Sequence, residues 1–207
     1  AFAEDLVEET QPLTSEDTWL VSGGGSLVTA ASVMGVATSS QNAGAHFVLL
    51  GRSALLEETE HWIEWDESQL AEEKNALRQR LVDAADDGKV TMVEWNKAWQ
   101  KYTRSRDVFI TMDTIVKTGN TAEYCSVNVT DYEALESLGQ NLEREITGIV
   151  HGAGLEDSKL VGDKSHEIFD NVVRVKIDGW RALLGAVRAS GRDYPLFASC
   201  FTSVAKL

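Results

Sequence analysis

A glycine-rich turn near the N-terminus separates two apolar segments, and this order limits the folds open to the chain. Trp19-Leu20-Val21 is a short apolar run that stops at a turn over residues 22–25, and residues 27–37 then run for the length of a helix without a breaker. A second apolar run, residues 47–50, ends at Gly51. The pattern predicts strand, turn, helix and strand, a βαβ unit of roughly 30 residues.

The turn is a candidate site for the pyrophosphate of a dinucleotide. Glycines let the backbone approach the phosphates, and the N–H groups at a helix N-terminus favour an anion. The residues of this candidate site are Ser22, Gly23, Gly24, Gly25, Ser26 and Leu27. The alternative is that the glycines only form a tight turn.

The end of the second strand indicates which dinucleotide would bind. An Asp or Glu there would hold a free ribose 2′-hydroxyl, whereas this chain has Arg52 and Ser53, a cation and a hydroxyl that suit a 2′-phosphate. The sequence therefore predicts NADPH as the cofactor. The alternative is that Arg52 is an ordinary solvated surface charge.

Composition and length predict one domain. The 207 residues are 43% hydrophobic with only two prolines, enough for one sizeable core. Residues 1–16 are acidic and polar and predict a linker, so the domain is expected over residues 17–207. The first residue is not Met and the last residues are apolar, which predicts an excised part of a longer polypeptide.

Charge and cysteine usage narrow the function classes. A net charge of −14, with 19 Lys and Arg among 33 Asp and Glu, argues against nucleic acid and anionic membranes as partners. No apolar run reaches ~18 residues and the N-terminus lacks a basic segment, so neither a membrane span nor a signal peptide is expected. The two cysteines, Cys125 and Cys200, have no metal-ligand spacing and fit a reducing compartment, so we expect the cytoplasm.

A helical insertion of about residues 54–104 is predicted after the second strand. Residues 69–83 carry an amphipathic stripe, and a further helix is expected over residues 105–117 with Ser105 as its N-cap. The tryptophans of the insertion are expected to fill a small core rather than to contact a ligand: Trp62, Trp65, Trp95 and Trp99.

Residues 83–94 partly match a calcium-binding loop. Acidic residues stand at positions 1, 5 and 12 and Gly88 at position 6, but Ala85 at position 3 lacks a ligand oxygen. An acidic turn with a glycine is also common between helices. We expect no bound metal, and calcium binding is the alternative.

Strands and helices continue to alternate downstream. Residues 123–129, 146–150 and 195–204 predict strands, and helices are expected after Thr130-Asp131 and over residues 165–184. This alternation predicts an α/β fold, a Rossmann-type doubly wound parallel sheet, whose ligands lie beyond the carboxyl ends of the strands. Five candidate residues occupy strand ends: Ser22, Arg52, Asn128, His151 and Ser203.

Seven ordered segments carry a resemblance to a known family. They are Val21-Ser-Gly-Gly, Val28-Thr-Ala-Ala, Phe47-Val-Leu-Leu-Gly-Arg-Ser, Tyr124 to Asp131, Gly148-Ile-Val-His-Gly-Ala-Gly, Val175-Lys-Ile-Asp-Gly and Phe201-Thr-Ser-Val-Ala. From Asp17 onward the chain resembles the ketoreductase domains of multidomain polyketide synthases, and most of all those of polyunsaturated fatty acid synthases. The family belongs to the short-chain dehydrogenase/reductases.

The resemblance implies an activity and partners. The family uses NADPH to reduce a β-ketoacyl thioester, carried by an acyl carrier protein, to the β-hydroxyacyl thioester. The expected partners are the acyl carrier protein, the acyl thioester and the neighbouring synthase domains, with the oligomeric state set by the parent synthase. The alternative is a catalytically inactive, reductase-like module that braces those domains.

The resemblance also implies roles for individual residues. Ser203 would hydrogen-bond the substrate carbonyl, with Ser199 as a rival, and Lys176 would position and acidify the catalytic tyrosine. Apart from the resemblance, a histidine at a strand end is more often packed than an acid or base, so we expect His151 to be packed, with an acid or base role as the alternative. The remaining cofactor contacts implied by the resemblance are Asn128 and Val129 near the adenine, and Gly152, Ala153 and Gly154 beside the ribose and nicotinamide.

Two departures from the family pattern stand out. Leu27 replaces a glycine, and its side chain is expected to crowd the helix against the strand or the pyrophosphate. The family's catalytic tyrosine and asparagine are expected beyond Leu207, so the C-terminal part of the fold is expected to be missing from this chain. By itself the chain would then lack the proton donor.

Overall fold

The computed structural model describes residues 13–25, 27–86, 88–155 and 165–201. Strands and helices alternate through these residues, as the sequence predicts. The strands are β1 (Thr18–Ser22), β2 (His46–Gly51), β3 (Thr121–Ser126), β4 (Ile146–His151) and β5 (Phe197–Cys200). The helices are α1 (Leu27–Ser39), a 3-10 helix (Glu57–Trp62), α2 (Glu67–Ala84), α3 (Met92–Lys117), α4 (Tyr132–Asn141) and α5 (His166–Ala189).

The five strands form one sheet in the order β3-β2-β1-β4-β5, and every neighbouring pair is parallel. The chain runs outward from β1 to β2 and β3, then returns to place β4 on the other side of β1. Neighbouring strands with helices on opposite faces leave a crevice at such a switch point. The predicted Rossmann-type α/β fold is confirmed.

Both faces of the sheet are covered by helices. In β1 the side chains alternate: Trp19 and Val21 pack on the face covered by α1 and α3, and Leu20 packs on the face covered by α4 and α5. All three are buried. Because a strand turns successive side chains to opposite faces, a continuous apolar run such as this one suits a strand covered on both sides.

The insertion between β2 and β3 consists of the 3-10 helix, α2 and the first half of α3. The prediction that a helix begins at Ser105 is wrong, because α3 begins at Met92 and runs through that position. Ser105 is buried, and its hydroxyl oxygen accepts hydrogen bonds from the Leu56 N–H at 2.8 Å and the Thr59 hydroxyl at 2.9 Å. It therefore ties the helix to the 3-10 segment instead of capping it.

The aromatic residues of the insertion pack mainly on one another. The buried Trp62 ring stacks on Trp65, Trp99 and Tyr102 with centroid distances of 4.8, 5.9 and 5.4 Å. Trp95 lies apart from this stack, and its indole N–H donates to the Lys74 carbonyl at 3.0 Å. Three of the four tryptophans therefore form the small core that the sequence predicts.

The last carboxylate of the acidic segment between α2 and α3, that of Glu94, caps the N-terminus of α3. Glu94 accepts hydrogen bonds from the Thr91 backbone N–H at 2.9 Å and from the Thr91 hydroxyl at 2.8 Å. Thr91 and Glu94 form a capping box at the start of α3. Among the described residues, no three His, Cys, Asp or Glu side chains come together in a way that could hold a metal ion.

Two strands are shorter than predicted. The third spans Thr121–Ser126 instead of residues 123–129, because Asn128 forms a turn in which its side chain accepts from the Thr130 N–H. The last spans Phe197–Cys200 instead of residues 195–204, and residues 202–204 lie outside the described part of the chain. None of the described helices combines the length and apolar character needed to cross a bilayer.

Candidate cofactor site at the carboxyl edge of the sheet

A cavity opens beyond the carboxyl ends of β1, β2 and β4, at the switch point of the sheet. Its lining contains eight residues that the sequence predicts as cofactor contacts: Ser22, Gly23, Arg52, Asn128, Val129, Gly152, Ala153 and Gly154. These residues come from four separate segments of the chain. The fold therefore brings together the strand ends that the alternating pattern indicated.

Gly23 lets the turn after β1 lie against the end of β4. Its φ of +78° is one that residues with a side chain rarely adopt, and a Cβ there would lie 2.8 Å from the Ala153 nitrogen. The Gly152 N–H donates to the Ser22 carbonyl at 2.9 Å. A methyl group at Gly152 would collide with the Thr29 hydroxyl of α1. Gly23 and Gly152 therefore line the cavity with backbone alone, and their close contacts hold the turn, the end of β4 and α1 together.

Gly24 and Gly25 do not line the cavity, although the sequence places them in the candidate site. A Cβ on Gly24 would lie 3.0 Å from Leu49 Cδ2, and one on Gly25 would lie 2.5 Å from Val108 Cγ2 of α3. The Thr111 hydroxyl, also on α3, donates to the Gly24 carbonyl at 3.2 Å. The geometry gives both glycines a packing role, because the small size of Gly24 makes room for Leu49 of β2 and that of Gly25 lets α3 contact the turn.

The N-terminus of α1 follows this turn and carries no acidic residue in its first helical turn. The positive end of the helix dipole is therefore not offset by a nearby carboxylate of the same helix. Ser26 and the side chain of Leu27 lie outside the described residues. The predicted crowding by Leu27 thus stays a prediction.

Arg52 is exposed at the rim of the cavity, directly after β2. The backbone around it is held by β3. The Val127 N–H donates to the Gly51 carbonyl at 2.8 Å, and the Tyr124 hydroxyl donates to the Ser53 carbonyl at 2.6 Å. Ser53 does not line the cavity. Burial raises the pKa of Tyr124 above its usual value, so its hydroxyl stays a donor at neutral pH.

Ser22 and His151 form a buried pair between β1 and β4, with Oγ and Nδ1 2.6 Å apart. His151 Nε2 lies 3.1 Å from the Val175 carbonyl of α5. Because a carbonyl only accepts, Nε2 carries the proton and Nδ1 accepts from the serine hydroxyl. Burial, and then the charge of Lys176, lower the pKa of His151. The prediction of a packed strand-end histidine is confirmed.

Lys176 extends from α5 toward the same edge of the sheet. Its ammonium donates to the Phe201 carbonyl at 2.5 Å, and a Cβ built on Gly154 would lie 3.5 Å from its Nζ. Burial lowers the pKa of Lys176. Ser203 lies outside the described residues. Its rival Ser199 pairs with Val150 inside the sheet, one residue before the end of β5.

The sequence missed some residues of the site. Those that line the cavity without having been predicted are Leu50, Gly51, Val127, Leu155 and Val175. Gly51, Val127, Leu155 and Val175 directly adjoin predicted residues, and Leu50 lies two positions before Arg52. Thr29 lies beside Gly152 and Tyr124 beside Gly51. Both belong to segments that carry the family resemblance, but these contacts arise from packing between distant segments and were not predicted.

Comparison with known proteins places the chain in a family. The KR domain family matches residues 18–207. One relative, a component of the polyunsaturated fatty acid synthase of Thraustochytrium sp., is 27% identical over 194 residues, which are 90% of this chain and 7% of that protein. This chain therefore spans only a small part of that relative.

Solved structures share the fold. An N-terminal ketoreductase from the macrolactin assembly line matches with a TM-score of 0.56 and 16% identity, over 92% of this chain and 28% of that one. A 3-oxoacyl (acyl-carrier-protein) reductase from Agrobacterium tumefaciens C58, with NADP bound, matches with a TM-score of 0.55 and 15% identity, over 96% of this chain and 57% of that one. Together with the family match, these findings show that the chain belongs to the KR, or ketoreductase, domain family, as the resemblance to synthase ketoreductases predicted.

Proposed function

We propose that this domain takes part in the NADPH-dependent reduction of a β-ketoacyl thioester on an acyl carrier protein, within a multidomain polyketide or polyunsaturated fatty acid synthase. The observation that carries the proposal is the cavity at the switch point of the sheet. It combines the backbone of Gly23 and Gly152, which line the cavity without side chains of their own, with the cation of Arg52 at its rim. An anionic dinucleotide needs both features. Because the chain carries a net charge of −14, which repels an anion, the site needs a local cation.

The residues present fit such a cofactor. In the proposed binding mode Arg52 holds the 2′-phosphate, while the turn at Gly23 and the N-terminus of α1 hold the pyrophosphate. Asn128 contacts the adenine, and the backbone from Gly152 to Gly154 lies along the ribose and nicotinamide. The reductase from A. tumefaciens has NADP bound in its structure, which supports this choice of cofactor. When bound, the cofactor supplies the hydride.

Lys176 is the proposed positioning cation of the reaction. Its ammonium lies beside Gly154, where the nicotinamide end of the site is proposed. There it would favour the anionic form of the family's tyrosine, which is expected beyond Leu207, and so lower the cost of transferring the tyrosine proton to the ketone oxygen. Ser203 is proposed to hydrogen-bond the same oxygen as charge develops on it. The ketone thus gains a hydride at carbon and a proton at oxygen.

A second candidate function is a structural module without chemistry. Leu27, where the family has a glycine, favours this alternative because a side chain at the turn would obstruct the pyrophosphate. In that case the neighbouring synthase domains would be the partners. The two functions differ in whether the cavity binds NADPH.

The deciding experiment uses the full parent polypeptide. A β-ketoacyl thioester and NADPH are added, and the loss of nicotinamide absorbance is followed with the β-hydroxyacyl product identified by mass. We expect turnover with NADPH and slower turnover with NADH. If the polypeptide shows no turnover and does not bind NADPH, the structural module is favoured. Binding without turnover would locate the fault in the catalytic residues instead.

A further inference from the structure

Tyr124 lies where it can control the segment that carries Arg52. The tyrosine is in the middle of β3, half-buried against the cluster formed by α1, α3 and β2. Its hydroxyl extends past the end of β2 and donates to the Ser53 carbonyl at 2.6 Å. A Cβ added to Gly51 would collide with that hydroxyl. The Tyr124 side chain therefore packs against the backbone segment that carries Arg52, from Gly51 to Ser53.

Two other hydrogen bonds are accepted by carbonyls between Gly51 and Ser53. The Val127 N–H fixes Gly51, which precedes Arg52, at 2.8 Å. The Ser126 hydroxyl reaches the Arg52 carbonyl only at 3.5 Å, the outer limit of a hydrogen bond. The Tyr124 bond is thus the short contact on the far side of Arg52. Without it the backbone after Gly51 would gain freedom, and the arginine would sample more orientations.

We propose that Tyr124 is a positioning residue for Arg52 and thereby sets how strongly the domain prefers NADPH over NADH. The inference rests on the proposed function, in which Arg52 binds the 2′-phosphate. The two cofactors share every other group, so only the phosphate contact depends on where Arg52 is held. A contact that merely stabilised the fold would affect both cofactors alike.

The Tyr124→Phe variant tests this in the full polypeptide. Phenylalanine keeps the ring that packs on β2 and removes only the hydroxyl. Loss of one hydrogen bond of ordinary strength predicts that the Kd for NADPH rises about three- to tenfold. The Kd for NADH should stay within the error of the measurement. Both constants are measured by titration of intrinsic fluorescence or by calorimetry.

Tyr132→Phe provides the matched control. Tyr132 is exposed at the first residue of α4 and does not line the cavity. The same atom is removed, so general effects of losing a tyrosine hydroxyl are accounted for. We expect both affinities and the melting temperature of this variant to equal those of the unaltered protein.

A second variant addresses the same contact from the other side. A methyl group in Gly51→Ala would displace the Tyr124 hydroxyl, so the NADPH preference should fall as it does in Tyr124→Phe. With the hydroxyl already removed, the methyl group has more room. The Gly51→Ala change should therefore cost less NADPH affinity in the Tyr124→Phe background than alone, a coupling that a double-mutant cycle measures.

The outcomes separate this inference from the proposed function. If the unaltered polypeptide binds NADPH no better than NADH, both fail. If it prefers NADPH but Tyr124→Phe keeps that preference unchanged, or weakens both cofactors equally, only the role of Tyr124 is refuted. A selective loss of NADPH affinity, with coupling to Gly51→Ala, supports the inference.

Discussion

The hydroxyl of Ser22 and the imidazole of His151 share a buried hydrogen bond of 2.6 Å at the switch point of the sheet. The bond joins the last residues of β1 and β4, from which the turn at Gly23 and the backbone at Gly152 continue into the cavity. His151 also donates to the Val175 carbonyl, one residue before Lys176. One side chain thus links the cofactor side of the site to the helix that bears the proposed positioning lysine.

Removing this bond should destabilise the fold. Ser22→Ala leaves Nδ1 of His151 without its donor in a buried position, so we expect a loss of about 1–3 kcal/mol in the free energy of unfolding. Urea denaturation measures it. Ser32→Ala is the control, because that hydroxyl donates to the Val28 carbonyl on the exposed side of α1. A change at Ser22 no larger than at Ser32 would contradict the importance of the pair.

The same histidine should make stability depend on pH. Burial lowers the pKa of folded His151, whereas the unfolded side chain titrates near its ordinary value of about 6.5. Below about pH 6.5 the unfolded state binds a proton that the folded state does not. The contribution of His151 to the free energy of unfolding is therefore complete above about pH 6.5 and is lost as the pH falls toward the folded pKa.

The pH dependence can be measured by comparing variants. Denaturant unfolding is followed between roughly pH 8 and pH 5 for the unaltered chain and for His151→Asn, which cannot titrate. One titrating group changes the free energy of unfolding by at most about 1.4 kcal/mol per pH unit. We expect the slope below about pH 6.5 to be shallower in the variant. Parallel curves would show that His151 does not cause the pH dependence.

Gly23 should tolerate no side chain. In Gly23→Ala the methyl group would lie 2.8 Å from the Ala153 nitrogen and 2.9 Å from the Gly152 carbonyl carbon, both backbone atoms, at a φ that disfavours alanine. We expect a loss of about 1–3 kcal/mol in the free energy of unfolding together with loss of NADPH binding.

Gly35→Ala is the control for this substitution. Gly35 lies in α1 with nothing within 4 Å of the added carbon. Alanine is the better helix former, so this variant should gain about 0.5–1 kcal/mol. Equal effects at the two glycines would mean that the turn can relax away from β4.

Residues that line the cavity were predicted better at the ends of the strands than within the glycine turn. Arg52 and the backbone from Gly152 follow apolar runs whose ends are evident in the sequence, and they line the cavity. Asn128 also lines it, although the strand before it was predicted to run on to residue 129. Gly24 and Gly25 also follow an apolar run but pack against Leu49 and Val108. The sequence cannot show which way each glycine of a turn faces, since that depends on how β2 and α3 pack against the turn.

Ser105 illustrates why one helix boundary was predicted wrongly. A serine before an apolar stretch is a good N-cap, but the same local sequence also fits a serine in the interior of a longer helix. The difference is made by Leu56 and Thr59, which bond its hydroxyl from about fifty residues away. The actual start at Met92 has its own signal, a capping box between Thr91 and Glu94, which also accounts for the acidic residue that resembled a calcium ligand.

Lys176 should matter for turnover and not for cofactor binding. In the full polypeptide, Lys176→Met removes the cation beside Gly154, and we expect turnover of a β-ketoacyl thioester to fall about 10²–10⁴-fold. The NADPH affinity should change little. Lys117→Met is the control, since that lysine is exposed and pairs with Asp113 on α3. Full activity of Lys176→Met would remove this residue from the mechanism.

The central claim is that the cavity beside Arg52 binds a dinucleotide through its 2′-phosphate. The most direct measurement is the ratio of the NADH and NADPH dissociation constants in the full polypeptide, before and after Arg52→Gln, with Arg188→Gln at the exposed end of α5 as control. We predict a clear preference for NADPH that Arg52→Gln lowers about 10- to 100-fold, while NADH binding and the control are unchanged. An unaltered ratio in Arg52→Gln, or no binding of either cofactor, would contradict the account.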